Sequence, residues 1–356
     1  MDREADRAEQ SITFPKLGGY LPPYVEEKLP GLILTAVISA LALYTSAQVS
    51  YVSPLIAAMG IGMIIRNFFI VPAFYFPGIF YAMRQVLRLG IVLLGSKITL
   101  EKVLGLGWES LLIPSVVLVV TLIMVLILGK IFGLSQKMSL LLGMGTSICG
   151  ASAVLIGGSL SKSKEEDVIV SISAITVFGT ISMLLYPLIL KLNLLPLSPE
   201  AYGVWVGASI HEVAQVVTAG FSVSHTSGEV AVLVKLVRVI LLIPVAFLIS
   251  LLINWGFLIK EEKTTQRVLT FPLFLLGFAA MVLLNSLEFF TPKALKWMEF
   301  SALFFLLMGM AGMGLETDFR KLLKIGFRPF FVGLFSTLFI ALFSLILVYL
   351  LVPHKP

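Results

Sequence analysis

Eleven apolar stretches run through this 356-residue chain, at 31–47, 54–66, 80–97, 110–131, 139–158, 168–190, 202–220, 230–255, 271–286, 297–314 and 330–352. A bilayer crossing takes about 20 residues, so eleven crossings use about three-fifths of the chain. That spacing predicts an all-α polytopic membrane protein. Only 13% of residues are charged, against about 25% in ordinary soluble chains, which excludes a water-soluble globule. Trp108, Trp205, Trp255 and Trp297 all fall at or near proposed helix ends, where an indole prefers the headgroup layer. The stretch 68–81 is apolar but interrupted by Pro72 and Pro77, and reads as interfacial or re-entrant.

Residues 1–30 are dense in charge and hold no apolar core followed by a small-residue cleavage site. They read as a cytoplasmic segment rather than a cleaved signal peptide. Cys149 is the sole cysteine, so no internal disulfide or cysteine metal cluster can form. With eleven spans, the N-terminal side carries 17 of the 26 Lys and Arg and the other side 9 if Lys235 and Arg238, which fall inside a span, are counted with it. The positive-inside rule then places the N-terminus in the cytoplasm and the C-terminus outside. Topology also explains the net charge of +6, which therefore says little about a ligand.

One transmembrane domain, 31–352, is expected. Setting the first span aside leaves two sets of five, about 54–191 and 202–352, whose orientations must oppose because five is odd: the arithmetic of an inverted repeat. The fourth member of one set holds Gly143, Gly145 and Gly150, and the fourth member of the other holds Gly309, Gly312 and Gly314. Matched glycine clusters predict a broken helix in each set, although glycine also serves close helix packing. A second internal similarity, GASIHEVAQV from Gly207 against GTSICGASAV from Gly145, joins segments two spans apart and reads as chance or shared packing.

Ionisable groups inside spans cost a few kcal/mol each unless paired or hydrated. His211, Glu212, Lys235 and Arg238 lie on consecutive spans joined by a short turn. Residues equally distant from such a turn share one depth, so Glu212 should pair with Lys235, and Arg238 should lie beside His211 without an acid. A guanidinium so placed calls for an anion. The competing reading lets both cations snorkel to an interface. HEVAQ carries Gln215 where a zinc-protease helix needs a second histidine, so metal hydrolysis is not expected. Gln215 reads first as helix glue.

The run Gly145, Thr146, Ser147, Ile148, Cys149, Gly150, Ala151, Ser152 is the other candidate. A break here would present free N–H groups and the positive end of a helix dipole, flanked by three hydroxyls, a setting for a small oxyanion. Back-bonding of Ser and Thr within an intact helix is the alternative. Cys149 reads as a small apolar filler. The loops 162–167 and 316–328 are charged and read as solvated helix ends.

The stretches LRLGIVLLGSKITL from Leu87, GMGTSICGASAVLIGG from Gly143, YGVWVGASIHEVAQVVTAGF from Tyr202, VKLVRVILLIPV from Val234 and GMGLETDFRKLLKIGFRPFF from Gly312 closely resemble the YeiH-type family of bacterial membrane proteins, described as sulfate exporters. The resemblance runs over about 21–352. It implies a fold akin to cation-proton antiporters and bile-acid symporters, with two inverted five-helix repeats and two broken crossing helices. Relatives often carry Asp and Thr where this chain has Glu212 and Val213, so any role of that hydroxyl does not transfer.

Together these readings point to a non-enzymatic secondary transporter of the bacterial inner membrane. Its solute would be a small oxyanion, sulfate or a related sulfur oxyanion, carried by alternating access. Gly145, Thr146, Ser147, Cys149, Gly150, Ser152 and Arg238 would contact it; His211, Glu212, Gln215 and Lys235 would form the polar or coupling core. Histidine suits proton coupling because its ordinary pKa lies near about 6.5, and sodium is the other candidate ion. No cofactor, metal or nucleic acid is expected; the bilayer and a second copy of the chain are the partners. The rivals are a sodium-proton antiporter of the same fold and a non-transporting receptor.

Overall fold

The computed structural model describes residues 23–48, 53–105, 107–259, 273–318 and 326–352. Residues 1–22 of the expected cytoplasmic segment, and Arg320, Lys321 and Lys324 of the second charged loop, lie outside the described residues. In chain order the helices are α1 (Pro23–Gln48), α2 (Pro54–Phe68), α3 (Ala73–Lys97), α4 (Leu100–Gly105) and α5 (Glu109–Ile131). Then come α6 (Gln136–Met144), α7 (Ala151–Ser161), α8 (Glu165–Lys191), α9 (Pro199–Ser209) and α10 (Val213–Phe221). The last four are α11 (His225–Asn254), α12 (Phe274–Ser286), α13 (Pro292–Glu316) and α14 (Phe327–Leu351). No strand occurs among the described residues.

Among the described residues seven helices, including α3, α5, α8, α11, α13 and α14, are long and apolar enough to cross a membrane. In hydrocarbon a helix satisfies its own backbone, which is why these apolar runs adopt it. The ends carry the expected signals. Glu165, Glu166 and Asp167 open α8, where acids complement the positive end of the helix dipole. Ser198 caps α9 and Thr291 caps α13, each accepting from the backbone N–H three residues on. The protein is an all-α polytopic membrane protein.

The stretch 68–81 is not a crossing of its own. Residues 69–72 lead into α3, which therefore begins at Ala73 rather than Phe80. Within α3 a 3-10 turn at Ala73–Tyr75 precedes the α-helical part that opens at Phe76, and Pro77 sits in the first turn of that part, where its missing N–H costs little.

Two compact units are assembled from segments far apart in sequence: one from Met1–Leu100 and Leu273–Phe319, the other from Glu101–Pro272 and Arg320–Pro356. In the first unit α13 packs on α1, α2 and α3. The break expected at Gly309, Gly312 and Gly314 is absent, for α13 runs uninterrupted from Pro292 to Glu316. Those glycines serve close approach instead. A Cβ added at Gly62 would lie 2.5 Å from the Ala311 carbonyl oxygen and 3.1 Å from Gly314 Cα, and one at Gly312 would lie 3.2 Å from the Ile79 oxygen. This is small-residue packing of membrane helices.

The second unit holds the broken helices. The first is α6 and α7, joined through a widened turn at Gly145–Cys149. Gly150 ends that turn at φ 73°, ψ −133°, a conformation open essentially to glycine alone. The second break separates α9 from α10 at residues 210–212. The second break thus falls in the Gly207 segment, the one whose sequence echoes that from Gly145. Helices α9 and α10 pack on α11, while α6 and α7 pack on α8 and on one another.

Candidate functional site

The site lies where the two breaks meet. Helix α11 is anchored at its start by Ser224 and Ser227, which cap it reciprocally. It carries Lys235 and Arg238 one turn apart, and side chains at that spacing share a helix face. Both are 0% exposed, which excludes snorkelling to an interface.

Their partners are backbone carbonyls. Lys235 Nζ donates to the Ile148 and Ile210 oxygens, each at 2.8 Å. Arg238 Nε donates to Ser147 O at 3.0 Å and Nη2 to Thr146 O at 2.7 Å. Its Nη1 donates to Ala208 O at 2.8 Å, Ile210 O at 3.2 Å and Gly207 O at 3.4 Å. A helix that ends inside a protein leaves its last carbonyls without intrahelical partners, and cations favour that negative end. Two side chains therefore cap the carbonyl ends of both breaks at once.

One expectation is corrected here. Glu212 and Lys235 do not form the ion pair expected from their matched depth, because the ammonium is drawn to the unwound carbonyls. Arg238, expected to lie without an acid, is met by carbonyl oxygens. An unwound carbonyl in a low-dielectric interior is an acceptor strong enough to hold a charged donor, each such bond contributing about 1.5–3 kcal/mol.

Glu212 is half-buried and occupies the N-cap of α10. Thr176 Oγ1, on α8, donates to its Oε1 at 2.9 Å. The Glu212 N–H donates to Gln215 Oε1 at 3.1 Å, as part of a reciprocal capping box between the two residues. Gln215 Nε2 in turn donates to Thr176 O at 3.1 Å. Gln215 is therefore the tie that holds α10 to α8, as helix glue would be. The carboxylate lies against Gly150: a Cβ there would stand 2.5 Å from Glu212 Cγ and 3.4 Å from Oε1.

His211 is 1% exposed. Its Nε2 lies 3.3 Å from Thr337 Oγ1 on α14, while Nδ1 is buried without a hydrogen-bond partner. Ser147 Oγ is buried and without a partner too. Such atoms are uncommon in native structures and call for an explanation. The end of α9 is steadied by Trp205, which stacks on Tyr186 with centroids 3.9 Å apart and donates from Nε1 to Ala341 O at 2.9 Å.

The structure thus brings together Gly145, Thr146, Ser147, Cys149, Gly150, His211, Glu212, Gln215, Lys235 and Arg238. Cys149 is buried at 7% exposure. Ser152, on the first turn of α7, is exposed and so does not share the burial of Thr146 and Ser147. Gly143 lies within intact α6, packed near Leu122. Gly309, Gly312 and Gly314 belong to the other compact unit. Thr176 and Thr337 were not foreseen; a threonine within an apolar helix gives no sign in sequence of which helix it faces.

A family profile described as Conserved hypothetical protein 698 matches residues 30–333. A UPF0324 membrane protein of Listeria monocytogenes is 34% identical over 323 residues, covering 90% of this chain and 95% of the relative. The chain belongs to the UPF0324 family. The UPF0324 protein of Bacteroides thetaiotaomicron is 32% identical over 336 residues, covering 92% and 99%, and that of Pseudomonas aeruginosa is 33% identical over 329 residues, covering 89% and 93%. No solved structure matches this UPF0324 chain. UPF0324 is the family that the motifs from Leu87 to Phe331 resemble. The similarity runs over nearly the full length of each of these relatives.

Proposed function

We propose that this UPF0324 protein is a secondary transporter that carries a small oxyanion, sulfate or a related sulfur oxyanion, across the bacterial inner membrane by alternating access. The observation that carries the reading is the pair of broken helices meeting around two fully buried cations, Lys235 and Arg238, with one carboxylate, Glu212, beside them. Each half-helix end contributes about half a charge, and two carbonyl ends and two N–H ends cancel. A formal excess of about one positive charge remains in the membrane interior. Charge at that depth is costly and marks solute pathways, and this sign suits an anion.

Within the reading, the cations hold the breaks open and set the potential, while the solute contacts the Gly145–Gly150 turn, the Ser147 hydroxyl and the first N–H groups of α7. His211 and Glu212 supply the coupling element for protons or sodium. The N-terminus faces the cytoplasm and the C-terminus the outside.

The test is uptake of labelled sulfate into liposomes holding the purified protein, with and without imposed proton or sodium gradients. Gradient-driven sulfate movement is expected. Glu212 and Thr176 also present oxygens of the kind that bind sodium, which favours sodium-proton exchange as a second reading. Sodium flux that needs no anion would replace the first reading with the second.

A further inference from the structure

Among the described residues Glu212 is the one carboxylate at the meeting of the breaks, and it sits where an anion would be held. The N-terminal ends of two helices face it: α10, which it caps, and α7, whose N-cap is Gly150. Both helices have eight residues or more, Ala151–Ser161 and Val213–Phe221, so both offer the free N–H groups and dipole end that bind anions. Gly150 makes the fit with α7 possible, since a Cβ would stand 2.5 Å from Glu212 Cγ. The buried, unpartnered Ser147 Oγ and His211 Nδ1 belong to the same two breaks. These are polar groups that the carboxylate in its present place leaves unused.

Resting on the oxyanion reading, we propose that Glu212 is a tethered occupant of the anion site, so that the solute binds by displacing its carboxylate and does so in company with a proton. Two anions cannot share the ends of α7 and α10 without repulsion at so short a separation. Protonation of Glu212 removes that repulsion and lets the side chain leave Gly150. The proton comes from water on the loading side and returns to water on the other side when the solute departs and the carboxylate resumes its place. The groups around Glu212 are consistent with this cycle. Lys235 and Arg238 on α11 remain bound to carbonyls, Cys149 lies on the first break, His211 precedes Glu212 in the chain, and α8 supplies the Thr176 hydroxyl.

The test is sulfate binding to the purified full chain in detergent, followed across pH. In the wild type, affinity should rise as pH falls, approaching about tenfold per pH unit where one proton is taken up with each anion. Glu212→Gln keeps an oxygen for the cap and for Thr176 but carries no charge. It should bind sulfate with affinity independent of pH, at or above the acid limit of the wild type. Thr176→Val removes a hydrogen bond that holds the carboxylate in place, and should tighten sulfate binding several-fold at neutral pH; it is the check should the glutamine variant not fold. Wild-type binding that ignores pH overturns the proposal while leaving the oxyanion reading standing. A pH dependence in Glu212→Gln as steep as in the wild type overturns it as well, and moves the proton to another group such as His211. Absence of sulfate binding to the wild type at every pH overturns both.

Discussion

Lys235 and Arg238 converge on one carbonyl: Lys235 Nζ lies 2.8 Å and Arg238 Nη1 3.2 Å from the oxygen of Ile210. Each also reaches the other break, at Ile148 and at Ser147 with Thr146. One face of α11 therefore fastens two unwound segments into a single body. A pair of buried cations bonded to backbone holds the two breaks in shape without depending on loop contacts, as the transport cycle proposed above requires of a site that moves.

Arg238→Gln strands up to four buried carbonyls at the two breaks, those of Thr146, Ser147, Gly207 and Ala208, since Lys235 still holds the Ile210 oxygen. A buried acceptor left without a partner costs about 1–3 kcal/mol, so losing several at once is strongly destabilising. The variant should lose thermal stability in detergent together with transport. Arg238→Lys retains the charge without the planar fork, and should recover part of the stability. A glutamine variant as stable as the wild type would show that Arg238 is not a structural clamp.

At Gly150 the backbone takes a φ of 73° and the Glu212 side chain leaves no room for a Cβ. Gly150→Ala meets both obstacles, and strain of this backbone kind costs about 1–3 kcal/mol. Sulfate uptake in liposomes should fall sharply while the protein still folds to a monodisperse particle. Normal uptake by the alanine variant would show that the close contact with Glu212 has no part in transport.

Helix α2 provides a comparison of two glycines two residues apart. A Cβ at Gly60 meets nothing within 4 Å, whereas one at Gly62 lies 2.5 Å from Ala311 O. Gly60→Ala should be neutral or stabilise by up to about 0.5–1 kcal/mol through helix propensity. Gly62→Ala should lower the melting temperature by pushing α2 from α13. Equal melting temperatures for the two variants would contradict the packing described for the first unit.

The all-α membrane character and the broken Gly145–Gly150 segment were legible in the sequence, because hydropathy and glycine density report directly on local backbone, whereas Trp205, read as a headgroup-layer residue, is buried against Tyr186. The partner of that segment was misassigned. Gly309, Gly312 and Gly314 carry the denser glycine signal, yet α13 is intact, since glycine at helix spacing serves packing as readily as unwinding. The true second break has no glycine at residues 210–212; it shows only as a polar His211–Glu212 step and a sequence echo of the first break. The partners of Lys235 and Arg238 were hidden for a different reason. They are backbone carbonyls, and every residue in a sequence has one, so no residue type announces which are left unpaired.

Ser147 offers the cleanest separation of structural from functional roles. Its hydroxyl is buried and makes no hydrogen bond, while its carbonyl oxygen is held by Arg238. Removing the hydroxyl leaves the backbone contact intact and relieves an uncompensated polar group, which costs about 1–3 kcal/mol when buried. Ser147→Ala should therefore match or exceed the wild type in thermal stability. If the hydroxyl is held in reserve for the solute, the same variant should bind labelled sulfate more weakly, by about the worth of one hydrogen bond to a charged group, roughly 1.5–3 kcal/mol. A stable variant with unchanged sulfate affinity would remove Ser147 from the solute path; a destabilised one would mean that the hydroxyl is satisfied by an ordered water that belongs to the fold.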